Sequence, residues 1–204
     1  MFKSIWSSEP MVHMGITDWD SWTDGEQYTV RVYSNQPSVE LFLNGGSLGT
    51  ASTKSSMHAF EYSVTYAPGV LSCVAYGTDD VVTATESLST SLKTVSKLEL
   101  TPDADIVDSD EGFSFVTCQL LDSNGIPVPT ACDEVQFEVI DGTCYGTENG
   151  RPQDGTSMKS AVRNAFNGKV LCIAKPDCKI GNMTIKAWLP TAPAISAEAT
   201  IYKE

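Results

Sequence analysis

The sequence predicts an all-β protein made of two tandem antiparallel β-sandwiches. Short runs in which apolar and polar residues alternate recur along most of its 204 residues, and a period of two is typical of half-buried strands. Clusters of Gly, Pro, Asn and Asp separate these runs, as turns require. No window repeats apolar residues at helical spacing over three turns, which disfavours folds that contain long helices.

The first predicted sandwich covers residues 23–92 and opens with a hairpin. Apolar and polar residues alternate over residues 28–32 and again over residues 39–43. Asn44 and Gly45 follow, and both residue types tolerate the positive φ angles of a type I′ turn, so a return strand through Leu48 is predicted. The same alternation predicts further strands at residues 60–66, 70–76 and 81–85.

A second predicted sandwich covers residues 96–204, after a short linker rich in Ser, Thr, Leu and Lys. Within its strands the side chains that share one face are apolar, as are Val116, Cys118 and Leu120. Regularly spaced short strands between turn signals predict an immunoglobulin-like sandwich in this block. The predicted strands are residues 97–100, 113–121, 135–140, 169–174, 183–188 and 197–202.

Six cysteines bear on the redox environment of the chain. Cys73, Cys118 and Cys172 lie where a strand would bury a small aliphatic residue, and free cysteine behaves as a small hydrophobe. Buried reduced thiols are therefore predicted, with a disulfide framework as the alternative. Reduced thiols favour a cytoplasmic location, while a periplasmic or secreted one stays open. There is no Cys-x-x-Cys pair and no cysteine beside a histidine, so no zinc site is predicted.

The charge balance limits the classes of partner. Lys and Arg total 13 against 26 for Asp and Glu, a formal net charge of -13. A protein of this charge repels phosphate backbones and anionic lipid, so neither nucleic acid nor a membrane is expected as a partner. No apolar run reaches the roughly 18 residues of a membrane span, and the first residues lack the charged and apolar blocks of a signal peptide.

Segments of both blocks resemble two neighbouring modules of one enzyme family. Residues 28–49 resemble the opening of the sandwich that follows the catalytic barrel in β-galactosidase-like enzymes of glycoside hydrolase family 2. The second block resembles, in order, segments of the last sandwich of the same enzymes: residues 110–117, 122–129, 135–139, 148–150 and 165–169. The resemblance departs from the usual pattern chiefly at Cys73, Cys118 and Cys172, where alanine or valine is more typical.

This resemblance implies a role for the chain within a larger enzyme. Residues 1–22 resemble the lead segment by which such enzymes leave the catalytic barrel, so the missing barrel of the same polypeptide is the expected partner. The two sandwiches would brace the barrel, and could shape the rim of the substrate site or form a contact in a homo-oligomer of the parent. The apolar residues of the lead segment must dock or stay exposed: Trp6, Met11, Val12, Met14, Ile16, Trp19 and Trp22.

No catalytic residue is predicted in this chain, although the resemblance implies that the parent is a retaining glycoside hydrolase. Such enzymes need two carboxylates about 5 Å apart, and in the family the acid/base glutamate follows an asparagine. The chain has no Asn-Glu dipeptide and no alternation of strands with helices that would build a barrel. Its two histidines, His13 and His58, lie in no motif that activates a nucleophile. No cofactor is expected either, because the glycine-rich stretch 44–49 opens no helix.

Two features leave a binding role open. The acidic run from Asp103 to Glu111 could attract a hard cation, but it lacks the spacing of an EF-hand loop, so a solvated loop is preferred and no metal residue is predicted. Trp19 and Trp22 are candidate carbohydrate contacts, with packing as the alternative. Together with Trp188 they support a second hypothesis, a stand-alone or tethering carbohydrate-binding module. A third hypothesis is a cell-surface adhesion sandwich.

Overall fold

The computed structural model describes residues 1–16, 19–108, 112–177 and 181–203. The chain divides into two compact units, Met1–Thr90 and Ser91–Glu204. Each unit is built from sheets whose apolar faces are buried, and their strands pair antiparallel apart from one short parallel pair at Ile106–Val107. The predicted all-β sandwich fold is confirmed. No helix in these ranges is long and apolar enough to cross a membrane.

The first unit consists of two sheets that bury a shared core. A sheet in the order β1-β2-β5 packs against a sheet in the order β4-β3-β6-β7. The core takes the alternate residues of each strand, including Val30, Leu41, Phe60 and Leu71, all fully buried. Its elements are α1 (Lys3–Trp6), β1 (Val12–Met14), a 3-10 turn (Trp19–Ser21), β2 (Gln27–Ser34), β3 (Ser38–Leu43), β4 (Gly46–Ala51), β5 (Phe60–Thr65), β6 (Val70–Tyr76) and β7 (Val82–Ser89).

The predicted hairpin at Asn44 and Gly45 is confirmed. Both residues have positive φ, 52° and 80°, and β3 pairs directly with β4 on either side of the turn. A side-chain hydrogen bond joins the two sheets of this unit: the hydroxyl of Tyr62 on β5 donates a 2.5 Å hydrogen bond to the carbonyl of Val39 on β3. Burial raises the pKa of Tyr62 to about 12, so the phenol stays a neutral donor at physiological pH.

The second unit has the same layered design. A sheet in the order β12-β14-β10-β8 and a sheet in the order β13-β11-β15-β16-β9 enclose its core, which includes Val116, Cys118, Leu120 and Ile185. Its strands are β8 (Lys97–Pro102), β9 (Ile106–Val107), β10 (Ser114–Leu121), β11 (Glu134–Ile140), β12 (Gly142–Glu148), β13 (Val162–Asn164), β14 (Lys169–Pro176), β15 (Gly181–Leu189) and β16 (Ala192–Lys203).

Three edge strands of this unit, β9, β12 and β13, are absent from the strands that the sequence predicts. Asp141 and Gly142 predict a turn after β11 and no strand directly behind it. In the structure Asp141 alone turns the chain, with φ 55°, and β12 begins at Gly142. β12 and β13 each pair with a neighbour on one side only. Edge strands bury less surface, so their residues need not alternate. Cys178 and residues 109–111 of the acidic run lie outside the described residues.

Candidate functional site

The two tryptophans predicted as carbohydrate contacts lie together in an aromatic cluster of the first unit. The rings of Trp19 and Trp22 are 5.2 Å apart. Trp19 meets the ring of Tyr66 edge-on at 4.6 Å, and Trp22 stacks on Tyr28 at 4.1 Å with an angle of 8° between the planes. Both arrangements are favourable aromatic geometries. Trp19 and Tyr66 belong to the buried core of the first unit, and Trp22 and Tyr28 pack against it.

The two indoles differ in accessibility. Trp19 is 4% exposed and lies in the core cluster, whereas Trp22 is only partly buried. The Nε1 atom of Trp19 is buried and has no hydrogen-bond partner in the described part of the chain. A sugar could reach an indole here only through Trp22, and a carbohydrate contact at this cluster stays a prediction.

The lead segment is held to the first sandwich by backbone and side-chain hydrogen bonds. β1 pairs with β2 over three residues. The side chain of Asn35 accepts the N–H of Met11 at 3.0 Å and donates to the carbonyl of Glu9 at 2.6 Å. The carboxylate of Glu86 binds both His13 Nδ1, at 2.8 Å, and the N–H of Met14. His13 is thus a structural contact between the segment and β7.

An exposed apolar cluster, here called the lead patch, precedes these anchors. It consists of Phe2, Ile5 and Trp6, with exposed fractions of 60%, 49% and 78%. The rings of Phe2 and Trp6 lie 5.1 Å apart. Sequence reasoning singled out Trp6 but not Phe2 or Ile5; the i, i+3, i+4 spacing of the three residues on a short helix is the signal that identifies them.

The acidic run gives no metal centre in the residues that can be described. Asp103 uses its carboxylate to accept the N–H of Phe115 at 2.9 Å, and the carbonyl of Asp105 accepts the N–H of Tyr202 at 2.8 Å. Outside residues 17–18, 109–111, 178–180 and 204, no cluster of three or more His, Cys, Asp or Glu side chains could hold a metal.

A buried arginine organises the long connection between β12 and β13. Arg163, 1% exposed in its side chain, donates to Asp154 Oδ2 at 2.8 Å, to Thr147 Oγ1 at 3.0 Å and to the carbonyls of Thr156 and Ser157 at 3.2 and 3.1 Å. The backbone N–H of Thr156 and the Arg163 guanidinium hold the pKa of Asp154 well below its usual range. A charged donor with four acceptors fixes this loop against the sheet.

The buried cysteines are where the sequence predicts them. Cys73, Cys118 and Cys172 are fully buried, and burial raises the pKa of Cys73 and of Cys118 to about 12. The thiol of Cys144 on β12 lies 3.8 Å from that of Cys172 on β14, and contact with Cys144 together with burial raises the pKa of Cys172. Cys73, Cys118 and Cys172 pack as core residues and are poor nucleophiles in the folded state.

Comparison with known families matches both units. Residues 98–197 match the model described as glycoside hydrolase family 2 C-terminal domain 5. Residues 25–84 match a model described as a domain of unknown function (DUF4982). The two matches follow the chain in the order of the two sandwiches, which confirms the resemblance drawn from the sequence.

Curated relatives extend across both matches. The chain is 32% identical over 190 residues to the β-galactosidase BoGH2A of Bacteroides ovatus, and the aligned region covers 92% of this chain and 22% of that protein. It is 36% identical over 179 residues to a putative β-glucuronidase of Formosa agariphila, covering 82% of this chain and 17% of that protein. The chain thus spans about a fifth of the length of these relatives.

A solved structure also contains the fold of this chain as one part of a larger protein. A glycosyl hydrolase family 2 member from Bacteroides cellulosilyticus superimposes with a TM-score of 0.82 and 28% identity, over 100% of this chain and 29% of that one. The sequence matches and the fold both place the chain in one part of larger family 2 proteins, and the small share of each relative that is covered agrees with this. The chain therefore belongs to glycoside hydrolase family 2, as non-catalytic β-sandwich modules of its C-terminal region.

Proposed function

We propose that this chain braces the catalytic barrel of a retaining, β-galactosidase-like enzyme, with the lead segment at residues 1–22 in contact with the barrel. In this proposal the first sandwich, residues 23–92, anchors the lead segment, and the second, residues 96–204, extends the support. The observation that carries the proposal is the lead patch. It exposes three large apolar side chains next to one another, although the rest of the segment is held to the sandwich by hydrogen bonds. Such a patch is typical of a surface covered by another domain.

One experiment compares two variants in two contexts. Trp6→Ser should leave the stability of the isolated chain within about 0.5 kcal/mol, because the indole is already 78% exposed. In the full-length gene product the same change should cost about 2 kcal/mol or more, as expected for a central aromatic in an interface. Val81→Ser, at a similarly exposed apolar residue of the same unit, is the matched control and should be neutral in both contexts. Equal effects of Trp6→Ser in both contexts would contradict the bracing role.

Two further measurements bear on the wider proposal. Coding sequence upstream of Met1 and in frame with it should encode a βα barrel with an Asn-Glu dipeptide at the end of a strand. The purified chain should not hydrolyse chromogenic β-galactosides or β-glucuronides, and turnover well above background would refute the proposal. If the lead patch instead forms a subunit contact, the isolated chain will dimerise and Trp6→Ser will abolish the dimer.

A carbohydrate contact at Trp22, with Trp19 behind it, is a separate proposal for the same lead segment. It is supported by the partial exposure of Trp22 and by its nearly parallel stacking on Tyr28. Trp22→Ala should then weaken oligosaccharide binding without unfolding the first unit. Unchanged binding in a folded Trp22→Ala variant would remove Trp22 from any sugar site.

A further inference from the structure

We propose that the second unit carries a shallow binding cleft for a single neutral pyranose ring, with the indole of Trp188 as its stacking wall. The cleft has a volume of about 220 Å³ and is lined by residues of β15 and β16, including Trp188, Ser196 and Glu198. It uses no residue of the lead patch, which is the observation that carries the bracing proposal.

An irregularity in the strand pairing opens this cleft. Trp188 pairs with Ser196, but the next residue, Leu189, pairs with Ala192. Residues 193–195 of β16 are therefore extra and have no partner on β15. Such a bulge bends the strand and re-aims nearby side chains. It leaves a recess beside Trp188 on the outer face of the sheet, while Ile195 still packs against the core.

The chemistry of the recess suits a sugar. Trp188 is only partly buried, and two residues before it on the same face Lys186 lies with its Nζ 3.0 Å from Glu198 Oε1. An ammonium donor beside a carboxylate acceptor can bind two adjacent hydroxyl groups, and the indole can cover the C–H face of a pyranose. An apolar wall with a few convergent polar groups is the usual composition of a small-molecule site.

Size and charge narrow the ligand to one neutral ring. A volume of about 220 Å³ is smaller than the roughly 300–1,000 Å³ of sites for drug-sized ligands, which fits one sugar residue with its neighbours in solvent. The Glu198 side chain is 61% exposed, and the chain carries a formal net charge of -13. Within the cleft the Lys186 ammonium offsets the Glu198 carboxylate, but the net negative charge of the chain repels a uronate, so a neutral hexose should bind better.

The test is a titration of the ¹⁵N-labelled chain followed by NMR at the indole N–H signals. The signal lost in Trp188→Phe identifies Trp188. Methyl β-galactopyranoside should shift this signal saturably with a millimolar dissociation constant, while methyl β-glucuronide should bind about tenfold more weakly or not at all. No shift at Trp188 with the neutral glycoside, or equal shifts with both glycosides, would overturn the proposal.

Two variants separate the cleft from non-specific contact. Ser196→Trp fills the recess and should abolish the shift, whereas Thr200→Trp, on the same strand and also exposed but outside the cleft, should leave it unchanged. Equal binding by both variants would refute the site. If Ser196→Trp does not fold, Glu198→Ala takes its place: it removes one hydroxyl acceptor from an exposed position and should weaken binding several-fold in a folded chain. Undiminished binding by Glu198→Ala would then refute the site.

Discussion

Replacing Arg163 by methionine should destabilise the second unit far more than the same substitution at an exposed arginine. The guanidinium is 1% exposed and donates four hydrogen bonds, one of them to the carboxylate of Asp154. Removing one partner of a buried ion pair typically costs about 3–5 kcal/mol. The lower end, about 3 kcal/mol, is expected because Asp154 keeps some contact with water and can be rehydrated.

Calorimetry can measure this change. For a unit of this size, about 3 kcal/mol corresponds to a fall in melting temperature of roughly 12 °C. The control is Arg31→Met, because Arg31 pairs with Glu61 at 3.0 Å with side chains 44% and 37% exposed; such a surface pair contributes at most about 1 kcal/mol. Hydrogen exchange should show that only Arg163→Met loosens residues 149–160. A fall in melting temperature no larger than that of the control would refute the reasoning.

Three other outcomes are expected. Backbone N–H groups hold the pKa values of Glu148 and Asp154 below their usual range. The stability that these two carboxylates contribute is present above about pH 4 and is lost as the pH falls through their lower pKa values in the folded state. The urea midpoint of the second unit should therefore drop between pH 7 and pH 3, and a constant midpoint would contradict this. Tyr62→Phe should cost about 1 kcal/mol in urea unfolding by removing a hydrogen bond between sheets, and an unchanged midpoint would count against that bond. Iodoacetamide should label exposed Cys132 in the native chain but buried Cys118 only after unfolding, as mass spectrometry can show; early labelling of Cys118 would disprove its burial.

Most of the fold could be predicted because strands and turns depend largely on residues that are close together in the sequence. The alternation around Val116 and Cys118 marks a buried face whatever covers it, and Asn44 with Gly45 specifies a tight turn through the φ angles they tolerate. The edge strand β12 could not be predicted in this way. It is rich in glycine and half exposed, and it forms only because β14 offers an open edge to pair with.

The candidate sites depended much more on tertiary structure. The sequence does not show whether Trp6, Trp19 and Trp22 are exposed or buried. In the structure Trp6 is 78% exposed, Trp19 is 4% exposed and Trp22 is stacked on Tyr28. The recess beside Trp188 arises from a bulge that no local pattern reveals. By itself the sequence determined the β class, the order of the two sandwiches and the family. The tertiary structure alone decided which aromatic rings reach solvent, because burial depends on residues far apart along the chain that only folding brings together.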